Sequence, residues 1–348
     1  MRNSPRLSIV MPVFNHPKEL KVMIDSIMVN GFDDYELILV DDGSDSPTLS
    51  LLEEYSDKDS RITFVKRARL PKGAPTCRNI GFEMAIGEYI MFFDSDDYVT
   101  PSCLATRVRC IEEQPNLDFM VFPSGIYDES GFNAAPNLYA YGYPIYKDDL
   151  EHFARRLLPF VVWNNIYRTK SLKTHQILWD ENLMSMQDAD FNVSTILAGM
   201  AYGYASTQPD YGYRISTTSS VSKGIKTELH YRSNAYAVKM MYKKIREVHG
   251  SKYDKALLYG LCRVYNGVVT GNGVSAQLTN LFATEIENMV PNHAKKLRRT
   301  TRISVALKAI IPMLPSKMAR QLPMLFFLLE HRRRQKSKLR QINHLQKA

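Results

Sequence analysis

Over the first 120 residues, short unbroken apolar runs alternate with segments whose apolar positions recur at helical spacing. Leu7 to Val13, Glu36 to Val40, Ile62 to Val65 and Tyr89 to Phe93 read as four strands. Leu20 to Met28 (after Pro17), Thr48 to Tyr55 and Ala74 to Ala85 read as the helices between them. Strands of this length alternating with single helices imply βαβ units and a largely parallel sheet. Such a sheet takes its ligand in the crevice beyond the carboxyl ends of its strands, so the polar residues there carry the candidate chemistry.

From Asp118 to about Arg214 the pattern is irregular. Short strands are expected at Phe119 to Phe122 and Phe160 to Tyr167, and a Tyr-, Pro- and Gly-rich stretch runs from Tyr127 to Tyr146. An antiparallel or mixed subregion that completes the sheet and covers its ligand face fits this stretch. After Gly224 the pattern is helical, most clearly over Asn234 to Val248 and Lys255 to Val269. The expected division is an α/β domain over residues 1–222, in halves 1–120 and 121–222, followed by a helical extension over 223–348.

Charge sharpens this division. The chain carries +9 overall, but residues 295–348 hold 15 Lys and Arg against one acid, Glu330, while the remainder is net acidic. The basic charge therefore belongs to a tail. Composition is that of an ordinary globular protein, with 45% apolar and 23% charged residues, which excludes disordered and fibrous classes. Cys77, Cys103, Cys110 and Cys262 have neither zinc-ligand spacing nor clustered histidines, and are expected to be reduced thiols. Residues 1–6 lead straight into the first strand without the apolar stretch of a signal peptide, so the expected compartment is a reducing cytoplasm.

Two acidic clusters follow strands: Asp41-Asp42-Gly43-Ser44 and Asp94-Ser95-Asp96-Asp97. Carboxylates at strand ends commonly form turns or cap helices, and that reading stands beside the functional one for Asp41 to Asp45. Three acids within four residues repel one another unless a cation sits among them. Hard divalent ions take one or two carboxylates plus substrate phosphates, so Asp94 and Asp96 are candidate metal and diphosphate residues.

Four segments in order, Ser8 to Asn15, Leu39 to Ser44, Cys77-Arg78-Asn79-Ile80-Gly81 and Gly87 to Asp97, resemble the successive signatures of the family 2 glycosyltransferases. The resemblance covers residues 5 to about 220. It implies a GT-A fold, a Rossmann-like, mostly parallel sheet flanked by helices. It also implies a nucleotide-diphosphosugar donor, Mn2+ or Mg2+, and inversion at the anomeric carbon. By position, Pro12, Val13, Asn15 and Asp42 would contact base and ribose, with Asp42 accepting from a uracil imide, which makes a UDP-sugar the expected donor. Arg78 would lie near the base or diphosphate, Asp94 near ribose and sugar, and Asp96 on the metal, with Ser95 a further donor-binding position. The plainer alternatives are a surface ion pair for Arg78 and a turn residue for Asn15.

The family draws its catalytic base from an acidic pair opening a later helix. Here Asp188 matches the base and Gln187 stands where the other acid is usual. Ser185-x-x-Asp188 is also a capping-box-like pattern, in which Asp188 would serve only the helix start; Asp190 is the reserve candidate. Trp163 resembles an aromatic beside the donor sugar and acceptor, or is a core residue. Arg214, followed by Ser219, Ser220 and Ser222, resembles a late loop near the diphosphate, or is a plain solvated loop.

In the tail, Ile303 to Leu314 and Leu322 to Leu329 are apolar pieces broken by Pro and basic residues, and neither approaches the about 20 residues of a spanning helix. With His331-Arg332-Arg333-Arg334 and four further basic residues, they suit a helix lying on an anionic leaflet. A helical cap on the enzyme or a solvated tail is the alternative. No nucleic-acid module is recognisable. The resulting expectation is a metal-dependent, inverting hexosyltransferase peripheral to the inner face of the cell membrane. It would pass a sugar from a UDP-sugar to a lipid-linked or oligosaccharide acceptor in capsule, O-antigen or exopolysaccharide biosynthesis. A catalytically silent sugar-nucleotide-binding or scaffolding subunit is the alternative, and Gln187 is the residue that favours it.

Overall fold

The computed structural model describes residues 4–135, 139, 141–215, 228–270, 276–292, 294, 295, 298, 299 and 325–345. Ser219, Ser220, Ser222 and the apolar piece at 303–314 lie outside these residues. The chain divides into two compact units. Met1–Lys147, Leu158–Asn182 and Gln187–Thr218 form an α/β unit; Asp148–Leu157, Leu183–Met186 and Ser219–Ala348 form a helical one.

The strands of the α/β unit are β1 (Leu7–Val13), β2 (Tyr35–Asp41), β3 (Ile62–Lys66), β4 (Tyr89–Phe92), β5 (Tyr98–Val99), β6 (Phe119–Val121), β7 (Ser124–Asp128), β8 (Gly131–Asn133), β9 (Asn165–Arg168), β10 (Tyr202–Tyr204) and β11 (Tyr211–Arg214). Its main sheet has the order β10-β6-β9-β4-β1-β2-β3. β1, β2, β3 and β4 run parallel, and β9 is antiparallel to both β4 and β6. β1 lies inside the sheet with Leu7, Ile9, Val10, Met11 and Val13 wholly buried, as expected of a parallel strand covered on both faces. The strand expected from Phe160 is shorter. Asn164 accepts from Val161 N at 3.0 Å and donates to Phe122 O at 2.7 Å, turning the chain before β9 starts. A second, mixed sheet has the order β5-β11-β7-β8.

Helices α1 (Pro17–Met28), α2 (Ser46–Lys58), α3 (Ala74–Met84) and α4 (Cys103–Glu112) follow the early strands, and α5 (Asp149–Ala154), α6 (Thr169–Thr174) and α7 (Gln187–Leu197) come later. α1 buries Leu20, Met23, Ile24 and Ile27 at helical spacing, while α2 starts on Asp45, which accepts from Thr48 N at 3.1 Å. α3 lies close on β1: a Cβ at Gly81 would stand 2.4 Å from Val10 Cγ1, so only glycine fits there.

The helical unit contains α5 and α8 (Glu228–His249), α9 (Asp254–Thr270), α10 (Ala276–Met289) and α11 (Leu325–Leu345). Ala235, Val238, Leu261, Val264, Tyr265, Phe282 and Ile286 form a core of i, i+3 and i+4 stripes from α8, α9 and α10. Ser233 Oγ accepts from Met184 N (2.8 Å) and Ser185 N (3.1 Å), joining Leu183–Met186 to α8. All four cysteines are free thiols, Cys77 and Cys103 buried. Among the described residues, no helix is long and apolar enough to cross a membrane.

Candidate active site

Parallel register brings the ends of β1 and β2 side by side, with Val13 opposite Asp41. Asp41 is a turn former. Its two carboxylate oxygens accept from Gly43 N and Ser44 N, each at 3.0 Å, and Gly43 takes a φ of 91°. Asn15, at a φ of 57°, receives Asp45 N on Oδ1 and gives its own N–H to Ser44 Oγ, both at 2.9 Å. Asn15 thus latches the β1 end to the β2 end. Val13 is buried and its carbonyl accepts from Asp42 N at 2.8 Å; Pro12 is half-buried. Phe14, between them, is exposed beneath the Lys72 ammonium, 3.7 Å from its ring centroid. Asp42 is buried, and its Oδ1 accepts from Arg67 Nε at 2.6 Å and Gly73 N at 3.1 Å.

The Arg78-Asn79 pair organises the middle of the site. Asn79 clamps the Trp179 backbone, accepting from its N–H and donating to its carbonyl, both at 2.9 Å. Trp179 lies 4.4 Å from the Arg78 guanidinium and stacks on Phe191 with centroids 4.4 Å apart. Arg78, itself buried, donates to Asp94 Oδ1 at 2.5 Å and Gln187 Oε1 at 2.7 Å. It is therefore an interior organiser and not a surface ion pair.

Phe191 lies one turn beyond Asp188 on α7, so its packing on Trp179 and Phe92 fixes the turn that presents Asp188. Asp188 Oδ1 is enclosed and accepts no hydrogen bond. Burial and the negative charge of Asp94 push this carboxyl up to about 6, against the pull of Arg78. The capping alternative fails here: Ser185 N goes to Ser233, and no capping hydrogen bond reaches Asp188. Asp190 is buried.

The three acids after β4 part company. Asp97 is buried and accepts from Tyr211 Oη (2.8 Å) and Arg214 N (2.7 Å); burial and its acidic neighbours raise its carboxyl well above the usual range. Asp94 N donates to Tyr211 Oη at 3.2 Å, and Arg214 Nε donates to the Asp96 carbonyl. β11 is thus the latch of the acidic loop. Arg214 also lies over the Tyr127 ring, 4.7 Å from its centroid, and its Nη2 is enclosed without a partner. Asp96 projects outward, exposed to solvent, within a crowd of protein that, together with Asp94, pushes its carboxyl up to about 6. Ser95 is half-buried between them.

Among the described residues no three His, Cys, Asp or Glu side chains converge on a metal position. One outward carboxylate destabilised by neighbouring negative charge, completed by diphosphate oxygens, is nevertheless a hard-oxygen set that Mg2+ or Mn2+ fits. Asp94, the other expected ligand, has Oδ1 on Arg78.

Trp163 lies in the core, 4% exposed, stacked on Tyr211 with centroids 4.5 Å apart. Beneath it the fully buried Arg107 makes a two-point bond to Asp210 (2.9 and 2.6 Å) and a third to Trp163 O (2.7 Å). Sequence reasoning missed Tyr211, Arg107, Arg67 and Trp179. For Tyr211 a signal was present, the alternating Tyr-Gly-Tyr-Arg directly before Ile215. The open hollow lined by Gly87, Glu88, Thr169, Lys170, Lys173 and Thr174 is at the opposite end of the sheet, where β4 begins, and holds none of these groups.

The mixed sheet flanked by helices, with carboxylates and an arginine gathered at the carboxyl ends of β1, β2 and β4, defines an α/β protein of the GT-A fold. Residues 8–175 match the model of glycosyl transferase family 2, and this part of the chain belongs to that family. The uncharacterized glycosyltransferase EpsJ of Bacillus subtilis is 31% identical over 196 residues, 55% of this chain and 56% of that protein. The poly(ribitol-phosphate) beta-N-acetylglucosaminyltransferase TarS of Staphylococcus aureus is 25% identical over 58% of this chain and 35% of its own. A Campylobacter jejuni GalNAc(5)-diNAcBac-PP-undecaprenol beta-1,3-glucosyltransferase is 27% identical over 49% of this chain and 63% of its own. The matched stretches thus span between about a third and two thirds of these relatives. The crystal structure of S. aureus TarS 1–349 with UDP-GlcNAc shares the fold, at a TM-score of 0.64 and 19% identity over 90% of this chain and 88% of that one.

Proposed function

We propose that the protein is an inverting glycosyltransferase that moves a sugar from a UDP-sugar to a hydroxyl of a saccharide acceptor in surface polysaccharide synthesis. The observation that carries this is Asp188: a carboxyl near 6, unpartnered at Oδ1, electrostatically tied to the Arg78–Asp94 pair. A general base works best with a pKa near the operating pH and an oxygen that no protein donor occupies, and Asp188 has both. It takes the acceptor hydroxyl proton as the acceptor oxygen bonds to the anomeric carbon, while the sugar–phosphate bond breaks and its electron pair leaves with UDP.

The other residues take supporting parts. Asn15 and Asp42 hold the nucleoside side, Pro12 and Val13 form its floor, and Arg67 fixes the Asp42 carboxylate. Arg78 orients Asp94, and Ser95 and Arg214 border the diphosphate. Asp96 would hold a divalent ion, which when bound supplies Lewis-acid neutralisation of the departing diphosphate. Trp163 supports the sugar-facing wall from within. Similarity to TarS, whose structures include UDP and UDP-GlcNAc complexes, supports the uridine donor, and the C. jejuni relative supports a lipid-linked acceptor.

The exposed Arg333, Lys336 and Arg340 of α11 support docking on an anionic inner leaflet, at on the order of 1 kcal/mol per basic residue. Sedimentation with phosphatidylglycerol vesicles, absent with phosphatidylcholine, is the expected result; equal binding to both overturns the docking.

The test of the enzyme reading is a donor panel of UDP-, GDP- and TDP-sugars with Mn2+ or Mg2+, following nucleoside diphosphate release with and without chelator and membrane lipid extract. Chelator-sensitive release from a UDP-sugar is expected. The scaffold reading, which Gln187 favours, predicts UDP binding with no release under any condition.

A further inference from the structure

The loop between β3 and α3, residues 67–73, is pinned at both ends by one carboxylate. Asp42 Oδ1 accepts from Arg67 Nε at 2.6 Å and from Gly73 N at 3.1 Å. Within the loop Arg67 Nη1 donates to the Arg69 carbonyl, and Thr76 Oγ1 donates to Pro71 O at 2.7 Å. The Arg69 guanidinium then bridges two acids outside the loop. Its Nη1 and Nη2 donate to the exposed Glu83 of α3 at 2.9 and 2.8 Å, and its Nε and Nη2 donate to Glu181 Oε1 at 3.3 and 2.9 Å.

Glu181 Oε1 also accepts from Asn79 Nδ2 at 2.9 Å. An amide has one donor end and one acceptor end, and a carboxylate takes only donors. Glu181 therefore fixes which way the Asn79 amide faces, leaving Oδ1 to accept the Trp179 N–H while Nδ2 serves the Trp179 carbonyl as well. Residues 175–182 contain neither helix nor strand, so side-chain bonds of this kind decide where Trp179 stands. Burial alone would raise the Glu181 carboxyl, but its bonds to Arg69 and Asn79 hold it below its ordinary value. It is thus a charged acceptor, and its bonds are of the stronger, charge-assisted kind.

We propose that Glu181 is a positioning residue for sugar transfer, a reading that rests on the assignment of Asp188 as base. It ties the loop pinned at Asp42 to Trp179, and Trp179 carries two parts of the site. The Arg78 guanidinium lies 4.4 Å from the Trp179 ring and reaches Gln187 and Asp94, and Phe191, one turn beyond Asp188, stacks on the same ring at 4.4 Å. A shift of Trp179 therefore moves Arg78 and the first turn of α7 together. Asp42 keeps both of its own donors when Glu181 is removed, so the nucleoside end of the site is spared.

The test compares kcat, KM and the pH profile of wild type and Glu181→Ala with the donor that the wild-type protein turns over. Small misplacements of reacting groups are costly, and Glu181→Ala is expected to lower kcat about tenfold with the donor KM within twofold. Its acid limb should move to higher pH by on the order of a few tenths of a unit, because Arg78 then pulls less on Asp188. Glu181→Gln, which keeps an acceptor for Asn79, should recover most of kcat, and Glu83→Gln, which cuts only the exposed pair, should leave it unchanged. Arg69→Met cuts the same strap from its other side, so its loss should not add to that of Glu181→Ala. An unchanged kcat in Glu181→Ala, a fall in kcat with the acid limb unmoved, or additive losses in the double variant overturns the proposal. The strap is read separately through acrylamide quenching of tryptophan fluorescence, since Trp163 and Trp179 are both buried. Quenching that rises in Glu181→Ala but not in Glu83→Gln, in a protein that releases no UDP from any donor, upholds the hold on Trp179 while the enzyme reading fails; equal quenching in all three proteins overturns it.

Discussion

The Gln187 side-chain oxygen accepts a 2.7 Å hydrogen bond from the Arg78 guanidinium, whose other arm holds Asp94. A neutral amide thus occupies the place beside Asp188 where the resemblance leads one to expect an acid. Relative to an acid at this position, the site carries one negative charge fewer.

This sets the pH dependence. Asp188 must be deprotonated to accept a proton, and its carboxyl lies near 6, so kcat/KM should fall tenfold per unit as pH drops below about 6. Gln187→Glu adds negative charge beside it, which raises a carboxyl pKa, so the acid limb should move to higher pH, by on the order of half a unit. A limb that stays put or moves down in Gln187→Glu contradicts the placement of Asp188.

Asp188→Asn keeps the shape of the α7 turn and removes the proton acceptor. Transfer should fall by about 10²–10⁴-fold with UDP affinity retained. Residual activity above a tenth of wild type would shift the role to the buried Asp190.

Tyr211→Phe removes the hydroxyl shared by Asp97 and the Asp94 backbone. Leaving a buried carboxyl short of a donor costs about 1–3 kcal/mol, and the loop carrying Asp96 loses its register. The expected outcome is a lower unfolding midpoint in urea together with weaker stimulation by Mn2+. Unchanged values for both would mean that β11 is no latch.

Gly142→Ala tests the close backbone packing at this glycine independently of catalysis. A Cβ there would stand 2.0 Å from Phe122 O and 2.8 Å from Asn164 Nδ2, at a φ of 80°. The strain has no flexible side chain to absorb it, so a loss of about 3 kcal/mol or more is expected in thermal or urea unfolding. A midpoint within a degree of wild type would show that the backbone there can rearrange.

Several assignments were legible in the order of residues alone. The mainly apolar β1, β2 and β4 read as covered parallel strands, and their polar ends marked the candidate site because chain direction places those ends together. The helical stripes of α8 and α9 were equally readable, since each stripe is local in sequence. What Asp94, Asp96 and Asp97 do was not legible. Adjacent in sequence and chemically identical, they are told apart by partners from distant segments: Arg78 for Asp94, Tyr211 and the Arg214 backbone for Asp97, and outward exposure for Asp96. In the same way, only the tertiary structure showed that Trp163 lies in the core over Arg107 and Asp210, that Trp179 carries Arg78, and that Asp148–Leu157 and Leu183–Met186 join the helical unit. Periodicity and spacing report which face of an element is covered. They do not report what covers it, and here the covering groups come from as many as 118 residues away.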